Sequence, residues 1–286
     1  MPALAYRIVN VFTRDGGPLT GNPLCVFEDG SAVDDATMQA LARQMNLSET
    51  TFILPSAAAT ARVRIFTPSY EMPFAGHPTL GTAHVVRSMG RGGDSLALEM
   101  KAGVIPVEAR GARWTLRAVE PRSRAVEVAR SELEEILGLA AGDIGDWPLW
   151  VNAGKEQLVV PLTSADAVRR ARPRADAFSR LKSVDGQSMA YVFHDAGDAA
   201  GTVEARFFFP SGAAILEDPA TGSACANLGG WFMLIRPRTD IRRAVSQGEA
   251  VARPSTLHLD VAQGAIRVGG DVIEVARGTF TLQAAP

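Results

Sequence analysis

Two stretches of the chain share one build. "RIFTPSYEMPFAGHPTLGTAHVV" begins at Arg64, and "RFFFPSGAAILEDPATGSACANL" begins at Arg206. Each reads as Arg, a strand, Phe-x-Pro-Ser, a loop, a Gly followed by a polar residue, and then a helix of small residues. The second loop is longer by four residues. Such self-similarity predicts a duplicated domain with pseudo-two-fold symmetry, two like lobes with an active-site cleft between them. A weaker echo pairs "NLSETTFILP" with "NAGKEQLVVP", matching Asn46 and Pro55 to Asn152 and Pro161.

The remaining segments fit that frame. "YRIVNVF", "TTFILP", "ARVRIFTP", "MAYVFHD" and "TVEARFFFP" are rich in β-branched and aromatic residues and read as strands. "LALEMKAGVIPVEARGARWTLRAV" reads as a meander turning at Ala102-Gly103 and at Gly111. "DDATMQALARQMNL" spaces Met38, Leu41, Ala42 and Met45 as one helical face, with Asp34 or Asp35 as N-cap. "SELEEILGL" reads as a short helix with Ser131 as N-cap and Glu134 at the capping-box position. "SADAVRRARPRADAFSRL" is helical with a break near Pro173. Strands joined as hairpins and meanders, with few helices, predict an α+β fold with mixed or antiparallel sheets. The N-terminal lobe is expected over residues 1–118, completed by a strand at about 275–286. The C-terminal lobe is expected over 119–274.

Each lobe would carry one helix that is apolar nearly all round, "TLGTAHVV" and "ACANLGGWFML". Such helices belong inside a core, and their small residues let a curled sheet or open barrel wrap closely around them. Pro78 suits a first helical turn and makes His77 the expected N-cap of the first helix. Ser223 is the expected N-cap of the second. Helix N-termini leave backbone N–H groups without partners and carry partial positive charge, so two such ends opening on a cleft would form a socket for a carboxylate.

Composition narrows the partners. The chain has 286 residues, is 47% hydrophobic and carries a formal charge of −2. That balance favours neither nucleic acid nor an anionic membrane surface. The start of the chain has no basic stretch followed by an apolar run, so neither a signal peptide nor a transmembrane span is expected, and a cytoplasmic location follows. His77, His84, His194 and His258 are scattered without metal-ligand spacing, and the two cysteines, Cys25 and Cys225, make no disulfide framework. "GGPLTGN" has Asn22 where a phosphate loop needs Lys, and no dinucleotide fingerprint follows a strand. No metal and no cofactor are expected.

The segments "NPLCVF", "NLSETTF", "RIFTPSYEMPFAGHPTLGTAHV", "EDPATGSA" and "QGEAVARPS" occur in an order that resembles the phenazine-biosynthesis PhzF-like family over nearly the whole chain. The resemblance implies the diaminopimelate-epimerase-like fold, in which each lobe is a curled sheet around a central helix. It implies that Glu49 is the acid/base glutamate, with Ser48 beside it. It further implies that His77, Gly76, Asp218, Gly222 and Ser223 act on or hold the substrate carboxylate and its neighbours. The best-known reaction of that family isomerises a dihydro-hydroxyanthranilate by moving a proton between carbons without a cofactor. A homodimer is the family expectation. Here Ala252 replaces a customary Gly, and "SACANLGGW" differs from the phenazine enzymes, which leaves open which small carboxylate is the substrate.

A proton shift beside a conjugated acid needs one group that both gives and takes a proton, and a glutamate whose pKa is raised by burial meets that need. The apolar "TTFIL" strand would supply the burial for Glu49. Two other readings compete. A two-base epimerase of this fold would place a cysteine at each helix mouth, but those positions hold Ala75 and Ala220. A binding protein would keep the anion socket without catalysis, though a carboxylate beside an anion site is costly unless used. Glu217 reads only as a helix-terminal acid.

Overall fold

Hydrophobic alternation and small-residue helices together build the chain into two units, 1–116 with 269–286 and 117–268. A computed structural model describes residues 3–197, 200–236 and 240–282. In the first unit β1 (Ala3–Val11), β2 (Asn22–Phe27), α1 (Asp35–Met45), β3 (Glu49–Leu54), β4 (Ala61–Phe66), β5 (Glu71–Met72), α2 (Gly76–Ser88), β6 (Ser95–Met100), β7 (Gly103–Arg110) and β8 (Arg113–Arg117) follow in order. The second contains β9 (Arg122–Ala125), α3 (Arg130–Leu137), β10 (Leu149–Asn152), β11 (Glu156–Pro161), α4 (Ala165–Arg170), α5 (Ala175–Phe178), β12 (Ala190–Asp195), β13 (Thr202–Ser211), β14 (Ala214–Asp218), α6 (Gly222–Ile235), β15 (Ile241–Gln247) and β16 (Ser255–Ala262). The long β17 (Ala265–Thr281) begins in the second unit and ends in the first. Residues 283–286 of the expected terminal strand lie outside the described residues.

In the first unit the strands pair in a ring: β1 with β2, β2 with β3, β3 with β4, β4 with β6, β6 with β7, β7 with β8, and β17 with both β8 and β1. This closed mixed barrel surrounds α2, which is buried over most of its length. Close wrapping requires Gly81, since a Cβ there would lie 2.6 Å from Leu24 and 3.0 Å from Val11 side-chain atoms. The outer face of β2 and β3 is covered by α1, where Phe27 stacks on Phe52 above Met38 and Leu41. Asp34 caps α1 by accepting from the Thr37 N–H at 2.9 Å.

The second unit repeats the pairing sequence. β10 and β11 are antiparallel, β11 and β12 parallel, β12 and β13 antiparallel, β13 and β15 parallel, β15 and β16 antiparallel. Strand by strand this matches β1–β2–β3–β4–β6–β7, with α6 in the place of α2 and α3, α4 and α5 in the place of α1. The α+β class, the two similar lobes and the central apolar helices are therefore those the sequence predicts. The stronger repeat, Arg64 with Arg206, pairs β4 with β13 as the topology does. The weaker echo does not: it matches β3 to β11, whereas the strand equivalent to β3 is β12. Strand-to-strand likeness of apolar runs cannot fix register; parallel or antiparallel pairing does. The predicted cap of α3 is also displaced. Ala129 takes the N-cap position, and Glu134 instead accepts from the Gly142 N–H at 2.8 Å. Among the described residues no helix is long and apolar enough to cross a membrane.

Candidate active site

Glu49 opens β3 directly after α1 ends at Asn46, whose left-handed conformation (φ 52°) turns the chain. Side chains alternate along β3. Phe52 faces outward under α1, while Thr51 faces α2 and hydrogen-bonds Thr82 at 2.8 Å. Glu49 shares the inward face. Its Oε2 is buried, makes no hydrogen bond and lies 3.4 Å from His77 Nε2. Burial raises its pKa from 4.5 to about 7, against a smaller lowering by the Ser48 hydroxyl. Ser48 also donates to Asn22 Oδ1 at 3.3 Å.

His77 reaches this carboxylate because it is not the cap of α2. The N-cap is Ala75, extended and without a side-chain acceptor. Gly76, His77 and Pro78 are the first three helical residues, a turn in which Pro is tolerated because no N–H there has a helical partner. Thr79 closes the turn through its N–H to Ala75 O at 3.2 Å and its hydroxyl to the same oxygen at 2.7 Å. The imidazole, 7% exposed, is thus left to face Glu49.

The second unit builds a different mouth. Thr221 is the N-cap of α6, and Ser223 is the second helical residue, as His77 is in α2. Ser223 Oγ accepts from Gln157 Nε2 at 2.9 Å. Gln157 in turn accepts from Asn227 Nδ2 at 2.8 Å, and Asn227 also bonds Lys155 O and the Ala153 N–H at 2.8 and 2.7 Å. The Asp218 carboxylate accepts from the Thr221 hydroxyl at 2.5 Å, and Gln247 Nε2 donates both to that hydroxyl and to Asp218 O. Gly222 starts the helix between them. The sequence reading missed Gln157, Asn227 and Gln247. A lone Asn in an otherwise apolar helix was the available signal.

Glu217 is more than a helix-terminal acid. Arg206 holds it through Nε at 3.0 Å and Nη2 at 2.6 Å, and donates its remaining nitrogen to the carbonyls of Val168, Arg169 and Ala171 at the end of α4. Its guanidinium lies over Phe208. The first unit has the same clamp at the equivalent positions: Arg64 grips Glu71 at 2.8 and 2.7 Å and lies over Phe66. In each unit this pair fixes the loop that enters the central helix.

The duplication does not extend to the acid. Thr50 stands opposite Phe66, and Ala190 stands opposite Phe208. Met189 therefore takes the place of Glu49 in the second unit. Nor do the thiols form a symmetric pair: Cys25 and Cys225 are fully buried, and burial pushes both far up, Cys25 to about 12. A two-thiol mechanism has no support here. Among the described residues no group of three or more His, Cys, Asp or Glu is placed to hold a metal ion.

Comparison with known proteins identifies the family and the fold. A family model described as phenazine biosynthesis-like protein (PhzC-PhzF) matches residues 9–278. The chain is 37% identical to an uncharacterized isomerase of Pasteurella multocida, covering 96% of this chain and 93% of that one. It is 32% identical to trans-2,3-dihydro-3-hydroxyanthranilate isomerase of Pseudomonas fluorescens, covering 97% and 99%. The crystal structure of a Bacillus anthracis phenazine biosynthesis protein of the PhzF family superposes with a TM-score of 0.87 over 99% of this chain and 100% of that one, at 24% identity. A diaminopimelate-epimerase-like pair of barrels and this likeness over the whole length lead to one conclusion: the chain is an isomerase belonging to the phenazine biosynthesis-like PhzC-PhzF family.

Proposed function

We propose that this isomerase moves a proton between carbons of a small unsaturated or amino-acid-derived carboxylate, without a cofactor, and that Glu49 is its general acid and base. The observation that carries the reading is the Glu49 carboxylate itself. It is buried, its Oε2 makes no hydrogen bond, and its pKa stands near 7, where one group gives and takes protons with equal ease. Ionised Glu49 takes a proton from a carbon near the substrate carboxylate, and the electron pair moves into the conjugated system. Protonated Glu49 returns that proton to a different carbon and is regenerated. No oxidant or reductant enters the balance. His77, 3.4 Å away, stabilises the ionised form or steadies the substrate beside it. In the first unit the Gly76 N–H and the Ser48 hydroxyl beside Glu49 are assigned to binding the substrate carboxylate and its polar substituents; in the second unit the Gly222 and Ser223 N–H groups and Asp218 are the groups at the α6 mouth suited to binding such an anion and its substituents. The name of the Pseudomonas fluorescens relative makes dihydro-hydroxyanthranilate the first substrate to try.

The test is incubation in deuterated buffer with a panel of such carboxylates, dihydro-hydroxyanthranilate included, followed by NMR and mass spectrometry. Deuterium uptake or isomerisation by the wild type, lost in Glu49→Gln, is the expected result. Binding without Glu49-dependent exchange would leave a metabolite-binding protein in place of this mechanism.

A further inference from the structure

Asn227 and Gln157 are polar side chains in the core of the second unit, 0% and 2% exposed. Their counterparts in the first unit are apolar. Leu24 on β2 stands opposite Glu49, and Leu158 on β11 stands opposite Ala190, which puts Gln157 level with Met189. Since Met189 takes the place of Glu49, Gln157 takes that of Leu24. Gly76 and Gly222 each open their helix, so Gly81 and Asn227 occupy the same position along α2 and α6. Leu24 and Gly81 pack directly, for a Cβ on Gly81 would lie 2.6 Å from a Leu24 side-chain atom. A leucine and a glycine thus build this part of a barrel, whereas burying two amides costs free energy unless every group is met. The fold does not require the amides. Their hydrogen bonds lead out of the core to Ser223, which is half-buried.

The polarity of that chain of bonds is set at its inner end. The Ala153 N–H can only donate and the Lys155 carbonyl can only accept, so Asn227 must turn Oδ1 to the first and Nδ2 to the second. The other Nδ2 proton goes to Gln157 Oε1. Gln157 is left with Nε2 to donate to Ser223 Oγ at 2.9 Å. Ser223 Oγ therefore receives a proton from within, and among the described residues its own proton has no acceptor. We propose that Asn227 and Gln157 are positioning residues, which commit the Ser223 hydroxyl to donating its proton to an acceptor oxygen of the ligand at the α6 mouth. This rests on the assignment of that mouth to binding the substrate anion. A serine hydroxyl left to itself donates or accepts. With one lone pair filled from the core it acts as a donor, which is what a carboxylate needs, and the bond is stronger because its acceptor is charged. Leu24 and Gly81 can build no such chain behind His77, the first-unit residue in the place of Ser223.

The experiment measures Kd by calorimetry for anthranilate, an unreactive carboxylate, on wild type, Gln157→Leu, Ser223→Ala and the double variant. Gln157→Met, closer to glutamine in length, replaces Gln157→Leu if that protein does not fold. Ser223→Ala should weaken binding about tenfold, the loss of one hydrogen bond to a charged group. Gln157→Leu should weaken it about threefold or more, because the hydroxyl is then free to turn its proton away from the ligand. In the Ser223→Ala background the same change should alter Kd by less than about twofold. Equal weakening in both backgrounds overturns the proposal, since Gln157 then shapes the mouth without acting through the hydroxyl. So does an unchanged Kd in Gln157→Leu alone. If Ser223→Ala binds as tightly as wild type, or if anthranilate does not bind wild type, the α6 mouth does not hold the carboxylate and the proposal falls with that assignment. Deuterium exchange by Glu49→Gln is an independent measurement. Exchange lost there while the cycle is additive refutes the positioning role and leaves the proton-transfer reading in place; the reverse pattern refutes Glu49 and leaves the positioning role in place.

Discussion

Glu49 carries a stability consequence that its chemistry makes unavoidable. Its folded pKa of about 7 lies above the ordinary 4.5, so the folded chain holds a proton that the unfolded chain releases as pH rises. Below about pH 4.5 both forms are protonated and the residue has no effect. Between 4.5 and 7 the unfolded state is favoured progressively, and above 7 the cost levels at about 3 kcal/mol. Glu49→Gln should therefore be more stable than wild type by roughly that amount at pH 8, with the difference vanishing near pH 4. Urea titrations at the two pH values measure it; a gap that does not change with pH would mean the carboxyl is not desolvated. Asn227 makes a second prediction at this scale. Asn227→Leu would leave the Ala153 N–H and the Lys155 carbonyl unmet in the core, costing about 3 kcal/mol in chemical denaturation. Glu49 was legible through the family resemblance of "NLSETTF", whereas Asn227 went unread although it is a lone amide within "ACANLGGWFML". What each one meets could not be read, because the partners come from distant strands and loops.

The two central helices are held at their entering ends by ion pairs rather than by side-chain caps. Neither central helix has a side-chain cap, and in both units an Arg–Glu pair fixes the entering loop. Arg206 and Glu217 have side chains only 9% and 7% exposed. Removing one partner leaves a buried charge, so Arg206→Met should destabilise by about 3–5 kcal/mol. The double variant Arg206→Met with Glu217→Leu should recover most of that loss, since the buried charge is then gone. A double-mutant cycle in urea tests this; additive losses would show that Arg206 acts through the α4 carbonyls instead. The repeat that aligns Arg64 with Arg206 already marked these positions. It did not reveal the clamp, because Glu71 and Glu217 lie across loops of different length. The caps misled for a related reason. His77 and Ser223 suit an N-cap by residue type, but each helix starts ahead of them, and tertiary contacts claim both side chains.

At the scale of the whole molecule, β17 distributes stability unequally. It supplies the strand that closes the first barrel between β8 and β1, although that unit otherwise ends at Leu116. Residues 117–268 form one continuous stretch with their own apolar layer. Expressed alone, 117–268 should fold cooperatively, while 1–116 should not, because it lacks one stave of its barrel. Circular dichroism and thermal melts of the two fragments decide it; cooperative melting of 1–116 would show that the ring closes without β17. By itself the sequence determined the α+β class, the duplication, the two small-residue helices and the candidate residues around each helix mouth. Those follow from local periodicity and from motifs that survive in linear order. The tertiary structure decided the strand register that makes β12 the counterpart of β3, the approach of His77 to Glu49 and the Arg–Glu clamps. These depend on which strands lie side by side. That choice is made by burial and backbone pairing over the whole fold, and no local stretch of sequence contains it.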